Sequence, residues 1–227
     1  FTWVATPNVV EMTGATPVFC DITYDYNIDV NKIEELITSK TKAIIPVHLF
    51  GLSADLDPIL KLAKKYKLKV VEDGACAMGT FYKGRHICNF GDTGVISLHP
   101  AKTITTGEGG LILTRNKKLY ELMFKLHDHG SPDFTMVAYN YRLSDIQGAV
   151  GVAQMHKLES ILKERLRRAE IYNKKLYDSI TPTQHNYSNH TYQSYIAWVD
   201  DRDKMSAELE KKGIIARRGT LDVSAVP

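Results

Sequence analysis

Cysteine is scarce in this sequence. Cys20, Cys76 and Cys88 are odd in number, and no two share a C-x-x-C spacing. That excludes a disulfide framework and a cysteine-built zinc site, and it points to a reducing compartment, the cytoplasm. Long apolar runs are missing too. No stretch approaches the ~18 residues a membrane span needs, and no signal peptide is recognisable. An excess of one charge is also lacking. The 29 basic and 26 acidic side chains leave a net charge of +3, which gives no reason to expect nucleic acid as a partner. The basic clusters "KLAKKYKLK" and "KERLRR" fall at helical spacing and read as solvated helix faces. Internal repeats and low-complexity tracts are absent. An initiator Met is absent as well; the chain opens on "FTWVAT" and closes on "SAVP", and reads as a fragment with material missing from both ends.

What is present suffices for a sizeable core. The 227 residues, 44% apolar and 24% charged, fit one large domain and part of another. Strand-like and helix-like segments alternate. "TWVA" precedes a short helix in "TPNVVEMTG", with Thr6 as N-cap, Pro7 at the first helical position and Gly14 as the stop. "TPVFCDI" reads as a strand, "DVNKIEELI" as a helix, and "KAIIPVHLF" as a buried strand. "DPILKLAKKYK" reads as a helix opened by Asp57-Pro58, and "KVVEDGA" as a strand ending on two acids. Such alternation predicts an α/β sheet, largely parallel, with helices on both faces. Ligands in such sheets sit at the carboxyl ends of strands, which directs attention to "EDGAC" after "KVV" and "SLHPAK" after "DTGVI".

Further on, "GLILTRN" reads as a strand and "KKLYELMFKLHDHG" as a helix. "SDIQ" is a capping box, Ser144 capping and Gln147 at the third helical position. It opens one long helix over residues 148–180, long enough to bridge two domains. "TPTQHNYSNHT" reads as a polar turn or linker, and "YQSYIAWVD" as the first strand of a second, α+β domain.

The segment "SLHPAKTITTGEGG" places Lys102 between a proline and a glycine-rich tail. Ser97, five residues earlier, could hold a phosphate while the lysine amine reaches an aldehyde carbon. Gly107, Gly109 and Gly110 let backbone pass close to a ligand. The Walker pattern is absent, which removes the main phosphate-only alternative. Asp73 at its strand end could cap a helix. Paired with a Schiff-base lysine it could instead keep a pyridine nitrogen protonated, with the small Ala75 leaving room for a flat ring.

The stretch "VVEDGACAMGTFYKGRHICNFGDTGVISLHPAKTITTGEGGLILT" resembles the DegT/DnrJ/EryC1/StrS family of sugar aminotransferases. The likeness runs from "FTWVATPNVVEMTGATPVFCDI" through "AYNYRLSDIQGAVGVAQM" to about residue 180. It implies the pyridoxal-phosphate-dependent transferase fold of the aspartate aminotransferase type (fold type I). Residues 1–180 would form the large cofactor-binding domain, with its N-terminal part missing. Residues 181–227 would begin a small C-terminal α+β domain. Position by position, the resemblance makes Lys102 the Schiff-base lysine and Asp73 the partner of the pyridine nitrogen. Ser97 would bind the cofactor phosphate, Trp3 would stack on the ring, and Asn140 would reach the phosphate of a neighbouring subunit, giving a homodimer with shared sites. Cys76 departs from the pattern: many members carry His or Gln there to meet the cofactor's 3′ oxygen, and a thiol is a weak donor. The family's glycine-and-threonine phosphate loop, upstream of "FTWVA", is not in this sequence.

The activity implied is transfer of an amino group from an amino acid, glutamate, to a keto group of a nucleotide-linked sugar, with no metal. Two alternatives stand beside it. A dehydratase branch of the family replaces the lysine with histidine, against which Lys102 argues, and a non-catalytic relative would bind cofactor in a regulatory role. His99 reads either as a packed histidine beneath the loop or as a group beside the substrate. Arg142 either braces the dimer or holds a substrate carboxylate, and Tyr139 and Tyr141 read as interface packing.

Overall fold

The computed structural model describes residues 1–177 and 181–223. In chain order its elements are α1 (Ala5–Glu11), β1 (Ala43–Ile44), α2 (Leu56–Tyr66), β2 (Lys69–Asp73), β3 (Phe81–Tyr82), β4 (Arg85–His86), β5 (Thr93–Ser97), β6 (Gly110–Leu113), α3 (Lys117–His127), α4 (Asp145–Met155), α5 (Leu158–Lys175) and α6 (Arg202–Lys211). Four strands form one sheet in the order β1-β2-β5-β6, parallel but for the antiparallel β5–β6 pair. β3 and β4 form a separate hairpin. No helix among the described residues is long and apolar enough to cross a membrane.

β1 is short because Pro46 has no N–H to give to a ladder. The pairing nonetheless continues past it. Asp73 N–H donates to the Pro46 carbonyl and His48 N–H to the Asp73 carbonyl, both at 2.9 Å. Thus the last residue of β2 is still held by its neighbour.

α2 shows why the sheet is covered. Leu56, Ile59 and Ala63 lie on its inner stripe and are buried, while Lys61, Lys64 and Lys65 face water. Leu56 packs with Ala77, Tyr82, Ile87 and Ile96, and Ile59 packs with Ile33, Ile44 and Val70. Each such fully buried side chain contributes about 1.5–3 kcal/mol. The helix starts at Leu56 rather than at Asp57-Pro58, which occupy its first turn.

Several sequence expectations are corrected. Thr6 does not cap α1; it lies inside the helix, Val4 takes the N-cap position without a side-chain bond, and the threonine hydroxyl goes elsewhere. Gly14 follows the helix end with φ +77°, the left-handed conformation a stop requires. "TPVFCDI" forms no strand apart from an isolated bridge between Ile22 and Ile28, since no other strand pairs with it and Val18 and Phe19 are exposed. "DVNKIEELI" yields only a 3-10 turn at Glu34–Leu36, because Ile33 alone of its apolar residues is fully drawn into the core.

The long helix over 148–180 is two helices. α4 ends at Met155 and α5 begins at Leu158, with a tight Lys157 N–H to Gln154 carbonyl bond of 3.0 Å between them. No Gly or Pro marks this break. Residues 178–180 of that run lie outside the described residues. The Ser144–Gln147 capping box forms as expected.

"TPTQHNYSNHT" holds a turn at Asn186-Tyr187, closed by the His185–Ser188 bridge, and is not a free linker. Asn189 Oδ1 accepts from Phe81 N–H at 2.6 Å, and Thr191 N–H donates to the Gly51 carbonyl at 2.8 Å. "YQSYIAWVD" forms no strand. Instead Trp198 stacks on Tyr26 at 4.8 Å, and its indole N–H donates to the Tyr24 carbonyl. Arg165 in "KERLRR" is not a solvated charge either, since its Nη1 donates to the carbonyls of Tyr192 and Gln193 at 3.0 and 2.9 Å.

Candidate active site

β2 and β5 run parallel as neighbours and end at Asp73 and Ser97, so the loops that follow leave the same edge of the sheet. These loops meet. Lys102 Nζ lies 3.2 Å from Cys76 Sγ. The lysine loop is fixed at both ends because it joins the antiparallel pair β5–β6. Leu98 N–H donates to the Gly109 carbonyl, and the Leu98 carbonyl accepts from Thr106 N–H and from the Thr105 hydroxyl. Gly107 and Gly109 both have positive φ. At Gly109 a Cβ would stand 2.7 Å from Thr106 Oγ1 and 2.8 Å from Leu143, which explains glycine there.

The Asp73 carboxylate is held on both oxygens. Oδ1 accepts from Ala75 N–H at 3.0 Å and Oδ2 from the Thr6 hydroxyl at 2.8 Å. The tight turn into Ala75 needs Gly74, since a Cβ would meet Ile87 at 2.5 Å and Cys88 Sγ at 2.6 Å. Among the described residues neither Asp73 nor Lys102 is in a salt bridge.

Beneath Asp73, Glu72 points into the core and is fully buried. It accepts from His48 Nε2 at 3.2 Å, Cys88 N–H at 2.7 Å, Phe90 N–H at 2.8 Å and Gly91 N–H at 2.7 Å. His48 Nδ1 accepts from Ala54 N–H at 3.1 Å, which leaves its proton on Nε2 for the carboxylate. Burial raises the Glu72 pKa, but the bonds from His48 and from the Gly91 and Phe90 amides outweigh it and hold the carboxyl below its usual range. This network ties β1, β2 and the segment before β5 together.

The remaining candidates divide. Ser97 Oγ accepts from His99 N–H at 3.3 Å, which leaves its own O–H to donate. Ala75 is half-buried beside Asp73. Trp3 stands just before α1 with 62% of its surface exposed. Asn140 is exposed and bridges Asp128; among the described residues its side chain makes no hydrogen bond to Asp73, Cys76, Ser97 or Lys102. His99 is not packed beneath the loop: it is half-exposed, and its Nδ1 accepts from Ala101 N–H. Arg142 pairs with Asp128. Tyr139 and Tyr141 are exposed and stack on each other at 4.8 Å.

Sequence reasoning missed Thr6 as a site group and Glu72 as the buried brace. Glu72 was readable in part, because it shares the inward phase of β2 with Val70. No local signal marks the partner of Thr6, 67 residues away.

The donor set fits pyridoxal phosphate. Among the described residues, an amine without an anionic partner and a carboxylate without a cationic one stand at adjacent strand ends, suited to an aldehyde and a basic ring nitrogen respectively. GDP-perosamine synthase of Escherichia coli O157:H7 is 35% identical over 100% of this chain, which spans 65% of that protein. Helicobacter pylori PseC, an aminotransferase involved in the biosynthesis of pseudoaminic acid, matches with a TM-score of 0.92 and 30% identity over 99% of this chain and 65% of its own. A Streptococcus pneumoniae protein solved in its PMP form matches with a TM-score of 0.91 and 27% identity, over 97% and 64% of the two chains. The fold is therefore that of the pyridoxal-phosphate-dependent aminotransferases, and this chain spans just under two thirds of each of these relatives. Residues 1–218 match the DegT/DnrJ/EryC1/StrS aminotransferase family, and the chain belongs to it.

Proposed function

We propose that the whole protein moves an amino group from an amino acid, glutamate, to a keto group on a nucleotide-linked sugar, using pyridoxal phosphate held by Lys102. The observation that carries this reading is the pair of strand-end groups, the Lys102 amine against Cys76 and the Asp73 carboxylate held by Thr6 and Ala75. Family membership and the names of the relatives support the sugar as acceptor.

Bound pyridoxal phosphate supplies an aldehyde for imine chemistry and a ring that takes up the electron pair released at the donor's α-carbon. Lys102 Nζ holds the cofactor at rest. As a free amine, Nζ would take the proton from the donor's α-carbon. Asp73 presents a carboxylate fixed by Thr6 and Ala75 that would keep the ring nitrogen protonated. Ser97 offers its O–H to the phosphate, and Trp3 offers an exposed ring for stacking. Asn140, exposed between two tyrosines, serves the site of a second subunit, so the working unit is a homodimer. Three free thiols suit a cytoplasmic setting.

The test uses full-length protein loaded with pyridoxal phosphate. Adding glutamate should convert the absorption band of the pyridoxal form to that of the pyridoxamine form and release one equivalent of 2-oxoglutarate. A keto-sugar nucleotide should then restore the first band. A protein that binds cofactor but changes with no amino acid would refute the aminotransferase reading.

A further inference from the structure

We infer that Thr6 is a positioning residue whose hydroxyl orients the Asp73 carboxylate toward the cofactor's ring nitrogen, an inference that rests on the function proposed above. The Thr6 hydroxyl reaches Asp73 Oδ2 at 2.8 Å, and Ala75 N–H holds the other oxygen at 3.0 Å. One donor on each oxygen fixes the carboxylate about a torsion that is otherwise broad and two-fold. The backbone beneath cannot compensate by turning, because the Asp73 N–H and C=O are both spent on the β1 side. A carboxylate has about four lone-pair sites, so two bonds leave room for a third donor, the ring N–H.

The local setting favours this role over capping. Thr6 is the second residue of α1, and no side chain caps that helix. A threonine at a helix start ordinarily accepts from a nearby amide. Here the hydroxyl acts as donor to a residue distant in sequence. Its β-branch leaves few χ1 choices on a helical backbone, so the helix itself aims the O–H. None of the α1 residues is buried, and Thr6 N–H donates to the Trp3 carbonyl at 3.1 Å. The same helix start therefore carries both the aromatic before it and the group that sets the aspartate.

The test titrates apo full-length protein with pyridoxal phosphate and reads the dissociation constant from absorbance. Thr6→Val, close in shape but without the hydroxyl, should weaken binding roughly tenfold, the scale of one hydrogen bond to a charged group. Thr6→Ser should restore it. In an Asp73→Asn background, Thr6→Val should add little further loss, because the two act as one unit. Thr6→Ala serves in place of Thr6→Val if the valine variant does not fold. Wild-type affinity in both hydroxyl-less variants would overturn the inference. So would a loss in Thr6→Ser equal to theirs, or full additivity with Asp73→Asn, since each would make Thr6 a mere tether of α1. Wild-type affinity in Asp73→Asn alone would instead overturn the role given to Asp73, which keeps the two failures distinct.

Discussion

Lys102 Nζ stands 3.2 Å from Cys76 Sγ, a contact that closes the loop after β5 onto the loop after β2. Sulfur is a weak acceptor, and it leaves the amine uncommitted to any carboxylate. Borohydride reduction of the cofactor-loaded full-length protein should therefore place the pyridoxyl group on Lys102 in a peptide map. Lys102→Ala should abolish the adduct. An adduct on another lysine would overturn the assignment.

The buried Glu72 makes acid stability predictable in sign. Its folded pKa lies below the ordinary 4.5, so its stabilisation is complete above that value and drains away as pH falls through the lower folded pKa. Glu72→Ala should cost about 3–5 kcal/mol at neutral pH, because it strands His48 and three backbone amides. Glu72→Gln should fold more stably than Glu72→Ala and remove Glu72's share of the pH dependence below 4.5. Urea unfolding midpoints across acidic pH would measure both.

His190 acts in a higher window. Burial and the neighbouring His185 push its pKa down to about 4 from 6.5, and its Nδ1 accepts from Tyr192 N–H at 3.0 Å. Between those values the unfolded chain binds a proton that the folded chain refuses, so stability should fall as pH drops from 6.5 toward 4. The full effect is on the order of 3 kcal/mol. His190→Gln should flatten the slope of unfolding free energy in that range, and an unchanged slope would assign it to other groups.

The shared site is tested by mixing two full-length variants. Lys102→Ala and Asn140→Asp should each be inactive alone. In a two-fold heterodimer one site collects both lesions and the other is intact, so up to about half of wild-type activity should return. Verified subunit exchange without recovery would place Asn140 in its own chain's site.

Local sequence carries what local physics decides. The apolar stripe of α2, the Ser144–Gln147 box and the polar residues ending β2 and β5 were legible because periodicity, capping and strand ends are short-range. The lysine motif was legible for the same reason, its residues being neighbours in the chain. Other features depend on what the chain meets when it returns. "TPVFCDI" has strand composition but no pairing strand, and the run after Ser144 breaks at His156–Lys157 without a Gly or Pro to announce it. Thr6 reads as a helix cap until the tertiary structure brings Asp73 to its hydroxyl, and Glu72 reads as half of an acidic pair until His48 and three amides surround it. The sequence by itself determined which groups could do the chemistry. Only the tertiary structure decided which donors hold them, because a hydrogen bond acts over about 3 Å of space and is indifferent to distance along the chain.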